Sequence, residues 1–418
     1  MIITVIAAGS RGDVEPFVNL GVEMRKRGHC FRVCCLPKFK AYVEENGLVF
    51  FPLDFDGDYM MRALLSECKD GMAYLDGCKE LYHRNPEMMD EVYAAAEGAD
   101  LVLYILLGGF VHHVCEYLKI PCVRSFFYPF DKTRQFSMMM PELKENSFLN
   151  GFTYDISELG MNMVTMDLFN EWRVKHGLKK WDLFSDYRKL NGEKKLTLYP
   201  FSPYLVPRDP KWGEHITITG SWDRKEETVY EPDPLLQEFL EGGEEPLYVG
   251  FGSIVFKDME EVQKKVLGAI RKTGSRAILS SSWMKWKQVD DPDLFFVDYV
   301  PHAWLFPQVR AVIHHGGAGT TFAGLKAGRP TQVIAFGGDQ LFWGTRVYRN
   351  HLGPAPIDQE HKSWTIDDLA ERIMEIKSGQ YDESCKEGAL ELNREDGCKK
   401  AADILENYYN SKHKYKEI

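Results

Sequence analysis

One segment of the sequence combines two histidines with a cluster of glycines. In residues 312–321 an apolar run ends in His314 and His315 and continues as Gly-Gly-Ala-Gly-Thr-Thr. A strand that leads through such a loop into a helix presents backbone N–H groups and the positive end of a helix dipole, which together favour a phosphate. Glycines also let the backbone approach a ligand without a Cβ in the way. The segment predicts a phosphate-binding turn, with a plain tight turn as the alternative.

A polar pair follows the next apolar run and is expected at the same edge of the sheet. Asp339 and Gln340 come just after residues 331–335. A carboxylate accepts hydrogen bonds from two sugar hydroxyls, and an amide both donates and accepts. The pair suits a hexose, although a solvated acidic turn is the common alternative. Residues 250–253, Gly-Phe-Gly-Ser, offer two more glycines and the Ser253 hydroxyl, either for a phosphate or as a helix N-cap.

These residues need a sheet to hold them, and the apolar runs supply two. In the first half, strands are predicted at residues 2–7, 31–36, 101–106 and 121–127, with helices between them. This alternation predicts a parallel sheet. A second series is predicted at residues 247–251, 276–279, 294–297, 311–314 and 331–335, with a helix at about 260–272. Residues 128–195 are weakly periodic and rich in Met, Phe and Tyr.

The segment between the two series has the composition of an interdomain connection. Residues 223–245 are polar and acidic and contain two prolines and two glycines. We therefore predict an α/β protein with two Rossmann-like, doubly wound parallel-sheet domains that face each other across a cleft. The predicted parts are a first domain at 1–222, a linker at 223–243, a second domain at 244–395, and a C-terminal helix at 396–418 that packs back on the first domain.

Composition narrows the class of partner. The 418 residues have a net charge of −11, which argues against nucleic acid. The nine cysteines are odd in number, scattered and mostly within apolar runs, as expected in a reducing compartment. Residues 2–7 lack the features of a signal peptide, and no apolar run has the roughly 20 residues that a spanning helix needs. We expect a cytoplasmic protein without a transmembrane segment. Peripheral membrane contact and oligomeric state stay open.

Taken together, these motifs resemble the family 1 UDP-glycosyltransferases of the GT-B fold. The resemblance is closest to the branch of sterol glucosyltransferases and vancomycin-type antibiotic glycosyltransferases. It covers nearly the whole chain, through residues 9–16, 298–302, the histidine–glycine loop, 337–343 and 353–357.

The resemblance implies that the first domain, 1–222, binds the acceptor and that the second domain, 244–395, binds a UDP-sugar donor. It also implies roles for individual residues in binding this donor. His314 and the amides that follow it would hold the pyrophosphate, Val300 would meet the uracil through its backbone, and Asp339 with Gln340 would bind the sugar hydroxyls. The donor-binding residues so implied are Ser10, Gly12, Ser253, Trp283, Val300, His314, Gly316, Gly317, Ala318, Gly319, Thr320, Asp339 and Gln340. No resident cofactor and no metal are expected, because the helix dipole, the amides and His314 can take the charge that develops on the departing UDP.

Asp13 stands where the vancomycin-type enzymes resembled here have their aspartate base. It would accept the proton of the attacking acceptor hydroxyl, and a single in-line displacement would invert the anomeric carbon. An ordinary pKa near ~3.9 would make it a weak base, so a desolvated setting is required. The alternative is that Asp13 merely N-caps a helix beginning near Val14.

The predicted function is therefore a metal-independent, inverting glycosyltransferase that moves a sugar, expected to be glucose, from a UDP-sugar to a small apolar alcohol such as a sterol, a lipid or a polyketide. A GT-B UDP-sugar epimerase or hydrolase and a non-catalytic UDP-sugar or lipid-binding protein remain alternatives. A nicotinamide dehydrogenase is disfavoured, because residues 9–12 do not begin a G-x-G-x-x-G pattern. Met138 to Met140, Met161, Met163, Met166 and residues 126–130 form either an acceptor pocket or ordinary core.

Overall fold

The structure, a computed structural model, describes residues 1–57, 59, 71–105, 109–137, 143–224, 230–252, 259–281, 289–359 and 362–413. The chain divides into two compact units. The first comprises Met1–Arg224 together with Asp396–Ile418, and the second comprises Lys225–Glu395. The C-terminal segment therefore belongs to the first unit.

The first unit is built on a seven-stranded parallel sheet with the order β3-β2-β1-β4-β5-β8-β9. Its strands are β1 (Ile2–Ile6), β2 (Cys30–Cys35), β3 (Val49–Pro52), β4 (Leu101–Tyr104), β5 (Cys122–Ser125), β8 (Thr197–Tyr199) and β9 (Ile216–Ile218), while β6 (Lys189–Leu190) and β7 (Glu193–Lys194) form a separate hairpin. The central strands β4 and β5 are buried along their whole length, as parallel strands covered on both faces must be.

The helices of the first unit include one that the sequence pattern did not define. They span Arg11–Lys26, Lys40–Glu45, Gly71–Arg84, Met88–Ala96, Val111–Leu118, Phe148–Lys175 and Gly397–His413. The 28-residue helix Phe148–Lys175 lies in the weakly periodic region. The C-terminal helix packs on Arg11–Lys26, where Arg27 donates to Asp403 at 2.6 Å and Glu406 at 3.0 Å.

The second unit contains a six-stranded parallel sheet with the order β12-β11-β10-β13-β14-β15. Its strands are β10 (Leu247–Gly250), β11 (Ala277–Ser280), β12 (Leu294–Val297), β13 (Ala311–His314), β14 (Thr331–Ala335) and β15 (Ile357–Asp358). Its helices are Pro234–Glu241, Met259–Lys272, His302–Leu305, Ala318–Lys326, Gln340–Arg349, Ile366–Lys377 and Asp382–Arg394. The two parallel sheets confirm the predicted fold class.

The predicted linker at 223–243 is partly regular structure. The helix Pro234–Glu241 occupies its second half, and Asp233 caps the helix by accepting from the Leu235 N–H at 2.9 Å. Leu236 is buried in the apolar cluster that contains Tyr248 and Phe306. The helix therefore belongs to the second unit. Within the described part of the chain, no helix combines the length and the hydropathy that crossing a bilayer requires.

Candidate functional site

Three loops leave the second sheet at one edge. Strands β10, β13 and β14 are neighbours and run parallel, with Gly250 paired to His314 and His314 paired to Val333. Since the carboxyl ends of adjacent parallel strands meet at the same edge, the loops that begin at residues 251, 315 and 336 lie side by side. These are the three loops that the sequence singled out.

The glycine loop after β13 delivers a helix N-terminus to this edge. Gly316 has a φ of +95°, a conformation that glycine adopts without strain, and Gly317 is the N-cap of the helix Ala318–Lys326. Ala318, Gly319 and Thr320 are the first helical residues, so their N–H groups have no intrahelical acceptor. The first turn contains no acidic side chain. This end of the helix is therefore suited to an anion.

The glycine loop packs directly against the turn that contains the predicted sugar-binding pair. A Cβ on Gly316 would lie 2.8 Å from the backbone oxygen of Gln340 and 2.8 Å from Cγ1 of Val333. Such contacts are too short for a real Cβ atom, so only glycine allows the two segments to approach this closely. The structure thus brings the predicted phosphate turn and the predicted hexose turn together.

His314 has a defined tautomer and no charge. Its Nδ1 accepts from the Gly316 N–H at 3.0 Å, which leaves the ring proton on Nε2. Burial, followed by the nearby His315 and His302, holds the pKa of His314 well below its usual range. Nε2 is buried, and no described residue accepts from it. His314 therefore offers a neutral N–H donor, so it can contribute a hydrogen bond to a phosphate but not a positive charge.

The Asp339–Gln340 pair is only partly available to a ligand. The half-buried Asp339 accepts from the indole Nε1 of Trp343 at 2.8 Å through Oδ2. Gln340 is buried, and its Oε1 accepts from the Phe336 N–H at 2.7 Å. The expectation that Gln340 both donates and accepts toward a sugar is thus narrowed, because its oxygen already holds the turn. Its NH₂ group is the part left to contact a hexose, together with the second lone pair of the oxygen.

The remaining donor-site predictions in the second unit divide into two groups. Ser253 and Trp283 lie outside the described residues. Val300 is described and its side chain is buried in the cluster around Phe306, so only its backbone could meet a base.

Two histidines at this edge were not predicted as site residues. The His315 ring lies between Gly252 and Gly317, since a Cβ on either glycine would come within 3.0 Å of it. Burial, followed by His302, lowers the pKa of His315 to about 4. His302 stacks on Phe306 with ring centroids 4.3 Å apart. Gly252 and Gly317, which leave room for the His315 ring, are the sequence feature that could have identified His315 as a site residue.

In the first unit, Asp13 occupies a capping position different from the expected one. The helix begins at Arg11 and not near Val14, with Ser10 as the N-cap and Asp13 as the third helical residue. Oδ2 of Asp13 accepts from the backbone N–H of Ser10 at 2.7 Å and from its hydroxyl at 3.0 Å. A Cβ on Gly9 would collide with this carboxylate, which explains the glycine. The alternative in which Asp13 is the N-cap is therefore wrong.

This capping arrangement also limits the phosphate-binding role predicted for Ser10. The Ser10 hydroxyl donates its proton to Asp13, so it could contact a donor phosphate only after giving up that bond. Gly12 is exposed in the first turn of the same helix. The structure therefore places Ser10, Gly12 and Asp13 together, with Ser10 acting on the carboxylate.

A second capping box in the protein isolates what is unusual about Asp13. In the helix Ile366–Lys377, Oδ2 of Asp368 accepts from the N–H and the hydroxyl of Thr365, both at 2.7 Å. Those hydrogen bonds lower the pKa of the exposed Asp368. In Asp13, burial outweighs the equivalent bonds from Ser10 and raises the pKa. The raised pKa is what a carboxylate base needs in order to accept a proton readily.

The two buried histidines of the first unit are already engaged. Arg173 donates to His113 Nδ1 at 2.8 Å and to Glu116 at 2.7 Å, and His112 Nε2 lies 3.4 Å from Glu116. His112, His113 and Glu116 could supply metal-ligand atoms, but the guanidinium of Arg173 already contacts His113 and Glu116. Burial holds the pKa of both histidines well below the usual range. They serve as neutral core residues.

Comparisons with known proteins match both halves of the chain. A model of the glycosyltransferase family 28 N-terminal domain matches residues 3–136, and a model of the erythromycin biosynthesis protein CIII-like C-terminal domain matches residues 285–401. A sterol 3-beta-glucosyltransferase of Arabidopsis thaliana is 30% identical over 413 residues, which are 95% of this chain and 64% of that protein. One of Leptosphaeria maculans is 32% identical over 370 residues, 82% of this chain and 25% of that protein. The chain thus spans about two thirds of the length of the first relative and a quarter of the length of the second.

Solved structures share the fold. The glycotransferase of kitacinnamycin superposes with a TM-score of 0.72 at 20% identity and covers 97% of this chain and 98% of its own. The calicheamicin glycosyltransferase CalG4 gives a TM-score of 0.70 at 16% identity, with 98% of both chains covered. At these identities the likeness concerns architecture alone.

Proposed function

Because the chain belongs to the family 1 glycosyltransferases of the GT-B fold, we propose that it transfers a sugar from a UDP-sugar to the hydroxyl group of an apolar acceptor. The names of the curated relatives favour glucose as the sugar and a sterol as the acceptor. The reaction would occur in the cytoplasm, a location supported by the absence of disulfides among the described cysteines.

The proposal rests above all on the contact between the glycine loop and the Asp339–Gln340 turn. A nucleotide sugar requires an anion site next to a site for sugar hydroxyls. The helix N-terminus at Ala318 supplies the first, and the half-buried Asp339 carboxylate supplies the second. Gly316 sets the two against each other without an intervening side chain. This arrangement supports a hexose attached to a diphosphate as the donor.

In the proposed mechanism each unit has a separate task. Asp13 of the first unit takes the proton from the acceptor hydroxyl, whose oxygen forms a bond to the anomeric carbon. The bond from that carbon to the phosphate oxygen breaks, and the electron pair leaves with UDP. The second unit stabilises the developing negative charge through the amides of Ala318 to Thr320 and the Nε2–H of His314. Displacement in one step inverts the anomeric centre, and no divalent metal is required.

A screen of donors against acceptors tests this proposal. The protein is incubated with UDP-glucose, UDP-galactose or UDP-glucuronic acid and a panel of sterols, long-chain alcohols and polyketides, and products are identified by mass spectrometry. We expect a glycoside of an apolar alcohol, formed fastest from UDP-glucose. Free sugar released without any glycoside would indicate a hydrolase. UDP-sugar binding with no product would indicate a non-catalytic binding protein.

A further inference from the structure

The helix Phe148–Lys175 exposes apolar side chains where a surface helix normally exposes polar ones. Between Phe148 and Met163, six of the seven exposed residues are apolar. These six are 45–72% exposed and comprise Phe148, Leu149, Phe152, Ile156, Leu159 and Met163. The seventh is Asp155, which forms an ion pair with Lys132. We call the six residues, with Phe184, the apolar face.

The spacing makes this face continuous. Leu149, Phe152, Ile156, Leu159 and Met163 follow one another at intervals of three and four residues, so they line one side of the helix. At ~1.5 Å per residue, the distance from Phe148 to Met163 is about 23 Å along the axis.

Buried polar side chains fix the rotation of the helix. Asn150 is fully buried and donates to the backbone oxygens of Arg134 at 2.8 Å and Lys144 at 3.1 Å. Asn162 is also buried and donates to the backbone oxygens of Leu183 at 3.0 Å and Ser185 at 2.8 Å. Rotating the apolar face inward would break these buried hydrogen bonds. The exposure of the face is therefore built into the fold.

The turn that Asn162 holds exposes a further aromatic ring. Phe184 is 92% exposed and lies between the two carbonyl groups that Asn162 holds. Asp182 fixes this turn by accepting from the Phe184 N–H at 2.9 Å. Taking roughly 200 Å² for a large apolar side chain, the six exposed residues of the helix present about 650 Å². A typical monomer exposes no apolar patch larger than about 300–600 Å², and patches beyond that mark interaction surfaces.

Exposed cations lie near the start of the apolar face and beyond its other end. At the start of the helix, Lys132 and Arg134 lie against Gly151, where a Cβ would be 3.4 Å from Lys132 Cε and 3.9 Å from Arg134 Cγ. Lys144 is exposed in the preceding loop. From the last turns of the helix onward, the exposed lysines Lys175, Lys179 and Lys180 outnumber the exposed acids Glu171 and Asp182.

These charges decide between two occupants. A second copy of the chain, paired through the same face in either orientation, would bring cations next to cations. Anionic lipid headgroups would instead complement both ends while the aromatic and aliphatic side chains enter the acyl boundary. We infer that the apolar face docks this protein on an anionic lipid surface. The purpose of such docking rests on the proposed function, because an apolar alcohol acceptor dissolves in lipid.

Vesicle binding tests the inference without reference to catalysis. The partition coefficient of the protein is measured by co-sedimentation with phosphatidylcholine vesicles, with and without phosphatidylserine. The test variant combines Phe152→Ser, Ile156→Ser and Phe184→Ser. A matched control combines Leu235→Ser, Met374→Ser and Leu390→Ser, which alter exposed apolar residues of the second unit. Since all six positions are exposed, neither variant should lose its fold.

We expect the protein to bind vesicles, more tightly with phosphatidylserine, and the test variant to lose at least about tenfold in partition coefficient. The control should bind like the unmodified chain. Failure of the unmodified chain to bind, or equal binding by the test variant, would overturn the inference. So would lipid-free dimerisation that the test variant abolishes, because a second copy would then cover the face. Glycoside formation from acceptor in detergent micelles is measured in parallel, so that a failed docking surface is distinguished from a failed proposed function.

Discussion

Replacing Asp13 by Asn separates a catalytic role from a structural one. Asn retains a side-chain oxygen that can accept from the N–H and the hydroxyl of Ser10, as Oδ2 of Asp13 does. It cannot take up a proton at neutral pH. A lost general base lowers the rate by roughly 100- to 10,000-fold, so we expect kcat for sugar transfer to fall by that factor.

The structural cost of the same change should be small. The lost charge at the start of the helix Arg11–Lys26 is worth about 0.3–1 kcal/mol of stability. Relief of the burial that raises the pKa of Asp13 partly offsets this loss. A change of 1 kcal/mol corresponds to roughly 2–4 °C in Tm for a domain of this size. The Tm and the Kd for UDP-glucose should therefore stay close to those of the unmodified protein.

Asp368→Asn is the matched control, because Asp368 caps its helix through the same two hydrogen bonds, donated here by Thr365. It should show a similar small change in Tm and full activity. The unmodified enzyme should also lose activity as the pH falls through the raised pKa of Asp13, since the protonated carboxyl cannot accept a proton. If the Asp13→Asn variant retained more than about a tenth of kcat with chemistry rate-limiting, Asp13 would not be the base.

Three further predictions concern the second unit and the folded state. Asp339→Asn, which keeps an acceptor for the Trp343 indole, should weaken UDP-glucose binding by about 10- to 100-fold and leave UDP binding unchanged, as calorimetry would show; equal losses for both ligands would contradict sugar binding by Asp339. Transfer should persist in excess EDTA, because in the proposed mechanism the amides after Gly317 and the His314 N–H stabilise the diphosphate without a metal; activity lost in EDTA and restored by magnesium would refute this. The free energy of unfolding should fall as the pH drops from about 7 toward 4. Burial lowers the pKa of His314 and His315 in the folded state, so the unfolded chain takes up protons at a higher pH than the folded chain does. Urea titrations that give equal free energies of unfolding at both pH values would contradict this prediction.

The sheets and their glycine loops were predictable because parallel strands buried on both faces form continuous apolar runs. The limits of β12, β13 and β14 agree with the prediction residue for residue. The helix Phe148–Lys175 was not predictable in this way. Its buried side includes Asn150 and Asn162 besides Tyr154 and Phe169, while its exposed side is largely apolar, so the usual hydrophobic period is lost.

The side-chain orientations at the site depended on contacts that no local pattern shows. The sequence pattern predicted that Asp339 and Gln340 lie beside the glycine loop. It did not predict that the Gln340 oxygen accepts from the Phe336 N–H, because this hydrogen bond depends on the conformation of the turn. In the same way, Ser10 and Asp13 are three residues apart, as a capping box requires, yet the raised pKa of Asp13 depends on how much of its surroundings the fold buries. Spacing predicts which residues meet, and packing sets their protonation.

The configuration of the product tests the central claim most directly. The protein is incubated with its preferred acceptor and its preferred donor, an α-linked UDP-sugar. The anomeric proton of the purified glycoside is examined by NMR, and the released UDP is quantified. We expect a β-glycoside formed in equal amount to UDP, because one in-line displacement assisted by Asp13 would invert the anomeric carbon. An α-glycoside, or UDP released without glycoside, would contradict it.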